Sequence, residues 1–195
     1  MFKKLSRDIC LIKYRIFPLS AFDKKVDKDY FYYPPVYSFY WIQTKEDTKK
    51  NIVKESCKLV SKLEIDTLVF LGEFNKSWIS KFTASRTDNK RLLKALDYFK
   101  TAKIGTKFNG AVVVNKKHFA KFLKHFFVLT GCDSGFSDFN FIDVNEDFIF
   151  HLHYSGELKV LCLNEKANTN FLSSITDTNF IDAHFNYVCD KIGLI

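Results

Sequence analysis

His151 and His153 stand two positions apart in the run FIFHLHYSGELKV, residues 148–160. On a β-strand, side chains at i and i+2 share a face, so two imidazoles placed this way could meet a transition metal. A zinc centre needs a third and a fourth ligand. Hairpins closed at Asn145-Glu146 and Ser155-Gly156 give the pair Asn140, Val160 and Leu158 as cross-strand neighbours, and they set Cys162 against Ile149. No carboxylate or thiolate faces the imidazoles, so the expectation is half-buried histidines on a sheet, with no metal and no cofactor. His118 and His125 lie among Lys117, Lys121 and Lys124, whose charge opposes a cation, and His184 is isolated in sequence.

A second chemical pattern lies nearby. Asp143 and Asp147 followed by Glu157-x-Lys159 resemble the Asp…Glu-x-Lys spacing of restriction-type nucleases, which hold Mg²⁺ on a β-hairpin. The geometry opposes that reading: Glu157 sits beside one turn and the two aspartates at the other end of the strand, about 20 Å apart at roughly 3.3 Å per residue. The loop Gly131-Cys132-Asp133-Ser134-Gly135 holds a thiol and a hydroxyl, but no base is identifiable for either. Neither G-x-G-x-x-G nor G-x-x-x-x-G-K occurs.

Two stretches are suited to binding rather than catalysis. Residues 30–41, YFYYPPVYSFYW, hold eight aromatics in twelve positions, five of them among the nine tyrosines of the chain. Strand alternation buries only about half of such a set, which leaves Tyr30, Tyr32, Tyr33 and Tyr37 as candidate anchors for a partner. Residues 75–124 carry 13 basic and 2 acidic groups, whereas residues 125–195 carry 3 and 10. The chain as a whole is +8. Lys117, Lys121 and Lys124 project from the basic block and could meet nucleic acid or an acidic protein.

The elements that must position these groups follow from periodicity. VYSFYWIQ, TLVFLGEF and FNGAVVVN read as strands. Thr44, with Asp47 three positions on, can open a helix running to about residue 64. A short helix is expected around Trp78, Ile79 and Phe82, and another carries Leu92, Leu93, Leu96 and Phe99. Asn115 caps a helix over 116–130 whose stripe is Phe119, Phe122, Leu123, Phe126 and Phe127, closed by Gly131 in a left-handed conformation. Residues 18–35 read as a long loop around Pro34-Pro35. FNFIDV, DFIFHLHY and ELKVLCLN form a meander. In the registers above, Phe139, Phe141, Phe148, Phe150, Leu152 and Leu161 share one face, with Ile142, Ile149, Leu158, Val160, Cys162 and the two histidines on the other. A final helix over 177–193, DTNFIDAHFNYVCDKIG, turns Phe180, Ile181, Phe185 and Val188 inward.

The fold expected is a single α+β domain over residues 1–195, a mainly antiparallel sheet with the three-strand meander near its C-terminal end and packed helices. The five cysteines are scattered and never in a C-x-x-C pair, which points to a reducing, cytoplasmic setting. No apolar run reaches the ~18–20 residues that span a bilayer, and the basic, then interrupted apolar start does not read as a signal peptide. By elimination the expectation is a non-enzymatic macromolecule-binding protein: an inhibitor or immunity-type protein, in the manner of an antitoxin, that neutralises a partner toxin or enzyme. A nucleic-acid-binding accessory protein using residues 75–124 is the second reading, and a divergent metal-dependent nuclease the third.

Overall fold

The computed structural model describes residues 2–23, 25, 28–46, 48–74, 76–132 and 139–183. Eight strands form one fully antiparallel sheet in the order β1-β6-β5-β7-β8-β9-β4-β10. These are β1 (Lys3–Leu5), β4 (Ser38–Thr44), β5 (Thr67–Leu71), β6 (Ala111–Asn115), β7 (Asn140–Asp143), β8 (Phe148–Leu152), β9 (Glu157–Cys162) and β10 (Phe180–Asp182). The remaining two strands, β2 (Leu19–Asp23) and β3 (Lys28–Tyr32), pair as a separate antiparallel hairpin. The stretch expected to be a long loop is therefore a paired ribbon that ends just before Pro34-Pro35. This is consistent with the local sequence: proline lacks the N–H that would continue a ladder.

Helices α2 (Thr48–Lys62), α4 (Lys90–Thr101), α5 (Lys116–Thr130) and α6 (Glu165–Ile175) lie on one face. Phe119, Phe122, Leu123 and Phe126 of α5 are buried against Phe70, Phe141 and Phe150 of the sheet, with Phe70 stacked on Phe141 at 4.6 Å between centroids. Asn115 caps α5 through the backbone N–H of Lys117, and Asn89 caps α4 through those of Arg91 and Leu92. Gly131 follows α5 at φ −87°, in the right-handed region, so it is not a left-handed stop. The opposite face receives α1 (Arg7–Lys13) and the segment after it. Cys10, Tyr14 and Phe17 cover Val69, Leu71, Ala111, Ile142, Ile149 and Leu161.

Several local expectations change. Thr44 ends β4 instead of capping a helix, and α2 starts at Thr48, because Thr44 is held in register opposite Phe180 of β10. Ser80 caps α3 (Lys81–Ser85), so Trp78 and Ile79 precede the helix and are buried while Phe82 is exposed. Phe180 and Ile181 belong to the edge strand β10; Phe185 and Val188 fall outside the described residues. Helix α6, which had not been foreseen, buries only Ala167, Phe171 and Ser174.

The meander is present, but β9 sits one residue away from its expected register. Residues 154–156 form a three-residue loop closed by His153 N–H to Glu157 C=O at 2.9 Å, with Gly156 at φ 101°. A glycine in that conformation is what such a loop needs, since a Cβ there is strained. The slip turns every β9 side chain over. Leu158, Val160 and Cys162 thus join Phe148, Phe150 and Leu152 under the helices, and Lys159 and Leu161 move to the opposite face.

Candidate functional site

The slip also assembles a row that the sequence reading did not contain. Across the face away from the helices, Leu71 pairs with Asn140, Asn140 with His151, His151 with Lys159, and Lys159 with Trp41. The neighbouring row is apolar throughout: Val69, Ile142, Ile149, Leu161 and Phe39. Strands alternate faces with period two, so these two rows occupy every second position of the same strands whose other side chains build the main core.

Lys159 is only 3% exposed, and its ammonium lies 5.2 Å from the Tyr33 ring centroid and 5.3 Å from that of Trp41. Two aromatic faces suit a desolvated cation. Burial is the main reason the His151 pKa falls to about 4; Lys159 and His153 push it further down, and a backbone hydrogen bond at Phe139 opposes them. His151 is therefore a neutral imidazole at physiological pH. The amide oxygen of Asn140 is buried beside it without a hydrogen-bond partner. Trp41 meets both imidazoles edge-on, at 6.4 Å from His151 and 6.3 Å from His153, and His153 lies 4.1 Å from Tyr154.

At the loop end of this face, His153 Nδ1 is 2.5 Å from Ser155 Oγ, and Ser155 donates to Glu157 Oε2 at 3.0 Å. The inventory is serine, histidine and carboxylate, but the wiring is wrong for acyl transfer. A nucleophilic serine donates to histidine and the carboxylate orients the histidine. Here the serine donates to the carboxylate, and that carboxylate lies 3.5 Å from the same Nδ1 that the serine approaches, so the two groups do not flank the ring on its two nitrogens.

The aspartates of the nuclease-like pattern are also structural. Asp143 accepts from the backbone N–H groups of Asn145, Asp147 and Phe148 at 2.9, 2.9 and 2.7 Å, and Asp147 accepts from Asn164 Nδ2 at 2.8 Å. Burial raises the Asp143 pKa against these hydrogen bonds, which favour the ionised form. Among the described residues no three His, Cys, Asp or Glu side chains converge as metal ligands. The thiols of Cys10, Cys57 and Cys162 are pushed up to about 11 by burial, far from a reactive thiolate at neutral pH.

The residues proposed to bind a partner separate into two surfaces. Tyr33 leans on Lys159 on the open face, Tyr32 and Tyr37 are exposed, and Tyr30 lies in β3 opposite Ala21. Phe39 and Trp41 alternate onto the open face, whereas Tyr40 turns to the helices, stacking on Phe171 at 4.6 Å and donating to Asn168 Oδ1 at 2.7 Å. Lys117, Lys121 and Lys124 lie exposed on α5, on the other side of the sheet. Helix α5 packs between α2 and α4, which add Lys54, Lys58, Lys62, Lys90, Arg91, Lys94 and Lys100 as exposed cations, with Asp97 as the exposed carboxylate on these three helices. Tyr98 is built into that surface: it stacks on His125 at 4.3 Å, with Lys121 Nζ 5.5 Å from its ring.

The register expected from a two-residue turn pairs His151 with Val160 and keeps Lys159 off the histidine face; the observed pairing of His151 with Lys159 brings it there, and Trp41, within the aromatic stretch 30–41, joins it from β4. The signal for the observed register was Gly156, whose freedom at positive φ favours the three-residue loop. No protein-family model, curated protein or solved structure matches the chain.

Proposed function

We propose that the chain is a non-enzymatic binding protein that takes a protein partner on the open face of its sheet. Within that class we read it as a stoichiometric inhibitor or immunity-type protein that neutralises a toxin or enzyme. One observation carries the reading: Tyr37, Phe39 and Tyr154 are 56%, 52% and 54% exposed along the β8-β9-β4 side of that face, with Phe39 two positions before half-buried Trp41 on β4 and Tyr154 beside His153, which Trp41 meets edge-on. Large rings with few rotatable bonds lose little entropy on docking and supply most of the energy at protein interfaces. The buried row beneath them holds Trp41 in place without offering an assembled nucleophile and base. A cytoplasmic setting accords with the free thiols of Cys10, Cys57, Cys132 and Cys162. No described helix is long and apolar enough to cross a membrane.

The test is capture of partners from the native cell by wild type and by a Tyr37→Ala, Phe39→Ala, Trp41→Ala variant. One protein retained stoichiometrically by the wild type and lost by the variant supports the reading. Retention of nucleic acid alone, or hydrolysis of a substrate by the purified chain, overturns it.

The lysine-coated helical layer favours a second reading, a nucleic-acid-binding accessory protein. Its signature is a binding constant that falls steeply with salt, by a slope of about −0.9 per duplex phosphate neutralised. Replacing Lys117, Lys121 and Lys124 by Glu removes that slope if this surface is the contact.

A further inference from the structure

A third region, at the β1 edge of the sheet, carries its own chemistry. The start of the chain passes beside residues 72–74 and 108–110 and leaves a groove of about 440 Å³, lined among others by Lys4, Arg7, Phe74, Phe108, Asn109 and Gly110. That volume lies within the roughly 300–1,000 Å³ of small-molecule sites. The wall is rigid for a local reason. Gly110 packs so closely on β1 that an added Cβ would sit 2.3 Å from the Leu5 carbonyl oxygen, and its own carbonyl accepts from the Trp78 indole at 2.8 Å.

Each cation in the groove stands over a ring. Arg7 lies 5.5 Å from the Phe74 centroid and Lys4 5.5 Å from that of Phe108. Phe74 is nevertheless 57% exposed, so much of its ring is open to a ligand. Arg7 is held by Nη1 donating to the carbonyls of Gly72 at 2.7 Å and Glu73 at 3.3 Å, and its Nε is buried with no acceptor. No carboxylate forms an ion pair with it among the described residues, and nearby Glu73 is taken by Lys76 at 2.5 Å. Asp8 is the acidic residue in the lining, against Lys4 and Arg7. Lys3, Lys103 and Lys107 are exposed on the flanking segments. A half-buried guanidinium with Asp8 and Glu73 near but no carboxylate ion-paired to it among the described residues, beside an open ring, matches a ligand that is anionic at one end and flat at the other.

We propose that this groove binds a nucleotide unit, with the base on Phe74 and the phosphate between Arg7 and Lys4. The unit is either a free nucleotide or one residue of a single strand, the aromatic-plus-cation chemistry being common to both. The site is separate from the aromatic open face, so it stands whether or not a protein docks there.

The experiment uses the full chain and two probes at low salt, a fluorescein-labelled dT12 followed by anisotropy and ATP followed by quenching of Trp78 emission in a Trp41→Phe background. Binding of either probe, weakened about ten-fold or more by Phe74→Ala and by Lys4→Glu, is the expected result. Response to dT12 alone identifies a strand as the ligand, and response to both identifies the nucleotide itself. Phe74→Ala removes an exposed ring and leaves the Arg7 hydrogen bonds in place, so loss of binding through unfolding is checked by unchanged circular dichroism. The proposal is overturned if neither probe binds wild type, if both variants bind as wild type does, or if only the Lys117→Glu, Lys121→Glu, Lys124→Glu variant loses binding.

Discussion

The two faces of the sheet are built from the same strands yet do different things. Under the helices, phenylalanines meet phenylalanines: Phe122 is fully buried and touches the rings of Phe2, Phe70, Phe99, Phe126 and Trp78. Across the sheet, a short helix and the segment after it cover one part of the surface, and the part beside β8, β9 and β4 keeps an imidazole, an ammonium and a tryptophan in one row, with Tyr33 over the ammonium. Alternation makes both faces; what lies on top decides which becomes core. The face closed by four helices is filled almost wholly by apolar side chains, whereas the partly covered face carries Asn140, His151 and Lys159 in one row and leaves Phe39 exposed.

The sharpest way to break this comparison is to cut the same kind of side chain on each face. Phe122→Ala should lose about 3–5 kcal/mol of unfolding free energy in urea titrations, as large-to-small changes in closed cores do. Trp41→Ala, on the half-covered face, should lose about half of that or less. Equal losses would show that the open face is as much core as the other.

The second expectation concerns His151. Its pKa in the folded chain is about 4, below the value near 6.5 of an unfolded histidine. Protonation therefore favours the unfolded state: the stabilising contribution is complete above pH 6.5 and is lost as the pH falls from 6.5 towards 4, on the order of 2–3 kcal/mol in all. His118 and His125, also held low by burial and neighbouring lysines, act in the same direction. Denaturation midpoints measured from pH 7.5 to 4 should show the decline, and His151→Leu should flatten it. An unchanged slope in that variant would mean the row is not desolvated.

A smaller effect is expected at the start of α5. Asn115→Ala removes the acceptor for the Lys117 N–H and should cost about 1 kcal/mol in the same titration. Smallest of all, Lys117→Glu, Lys121→Glu and Lys124→Glu together should change stability by no more than roughly 0.5 kcal/mol per site, since all three are solvent-exposed. A large loss there would mean that the lysine surface supports the fold.

Much of this architecture could be read from residue order. The α5 stripe, the Asn115 cap, β5, β6 and the Asn140–His151 pairing all follow from local periodicity and capping chemistry, because a helix stripe or a cap needs only neighbours within four residues. Elements whose stability comes from elsewhere were not legible. Phe180–Asp182 is a strand because β4 offers an open edge, and its three residues carry too short a pattern to distinguish strand from helix. Helix α6 has an Asn164 cap acting on Ala167 N–H, but only three buried positions to mark its face.

The candidate site divides in the same way. Sequence alone determined that aromatic residues crowd positions 30–41 and that cations crowd 75–124, since composition needs no fold. Tertiary structure decided that Tyr33, Phe39 and Trp41 face away from the layer that carries Lys117, Lys121 and Lys124, that Lys159 sits between Tyr33 and Trp41, and that Arg7 reaches Phe74. Those placements depend on strand order and on a loop one residue longer than the shortest hairpin. A one-residue change in register inverts a strand's faces while leaving its composition untouched.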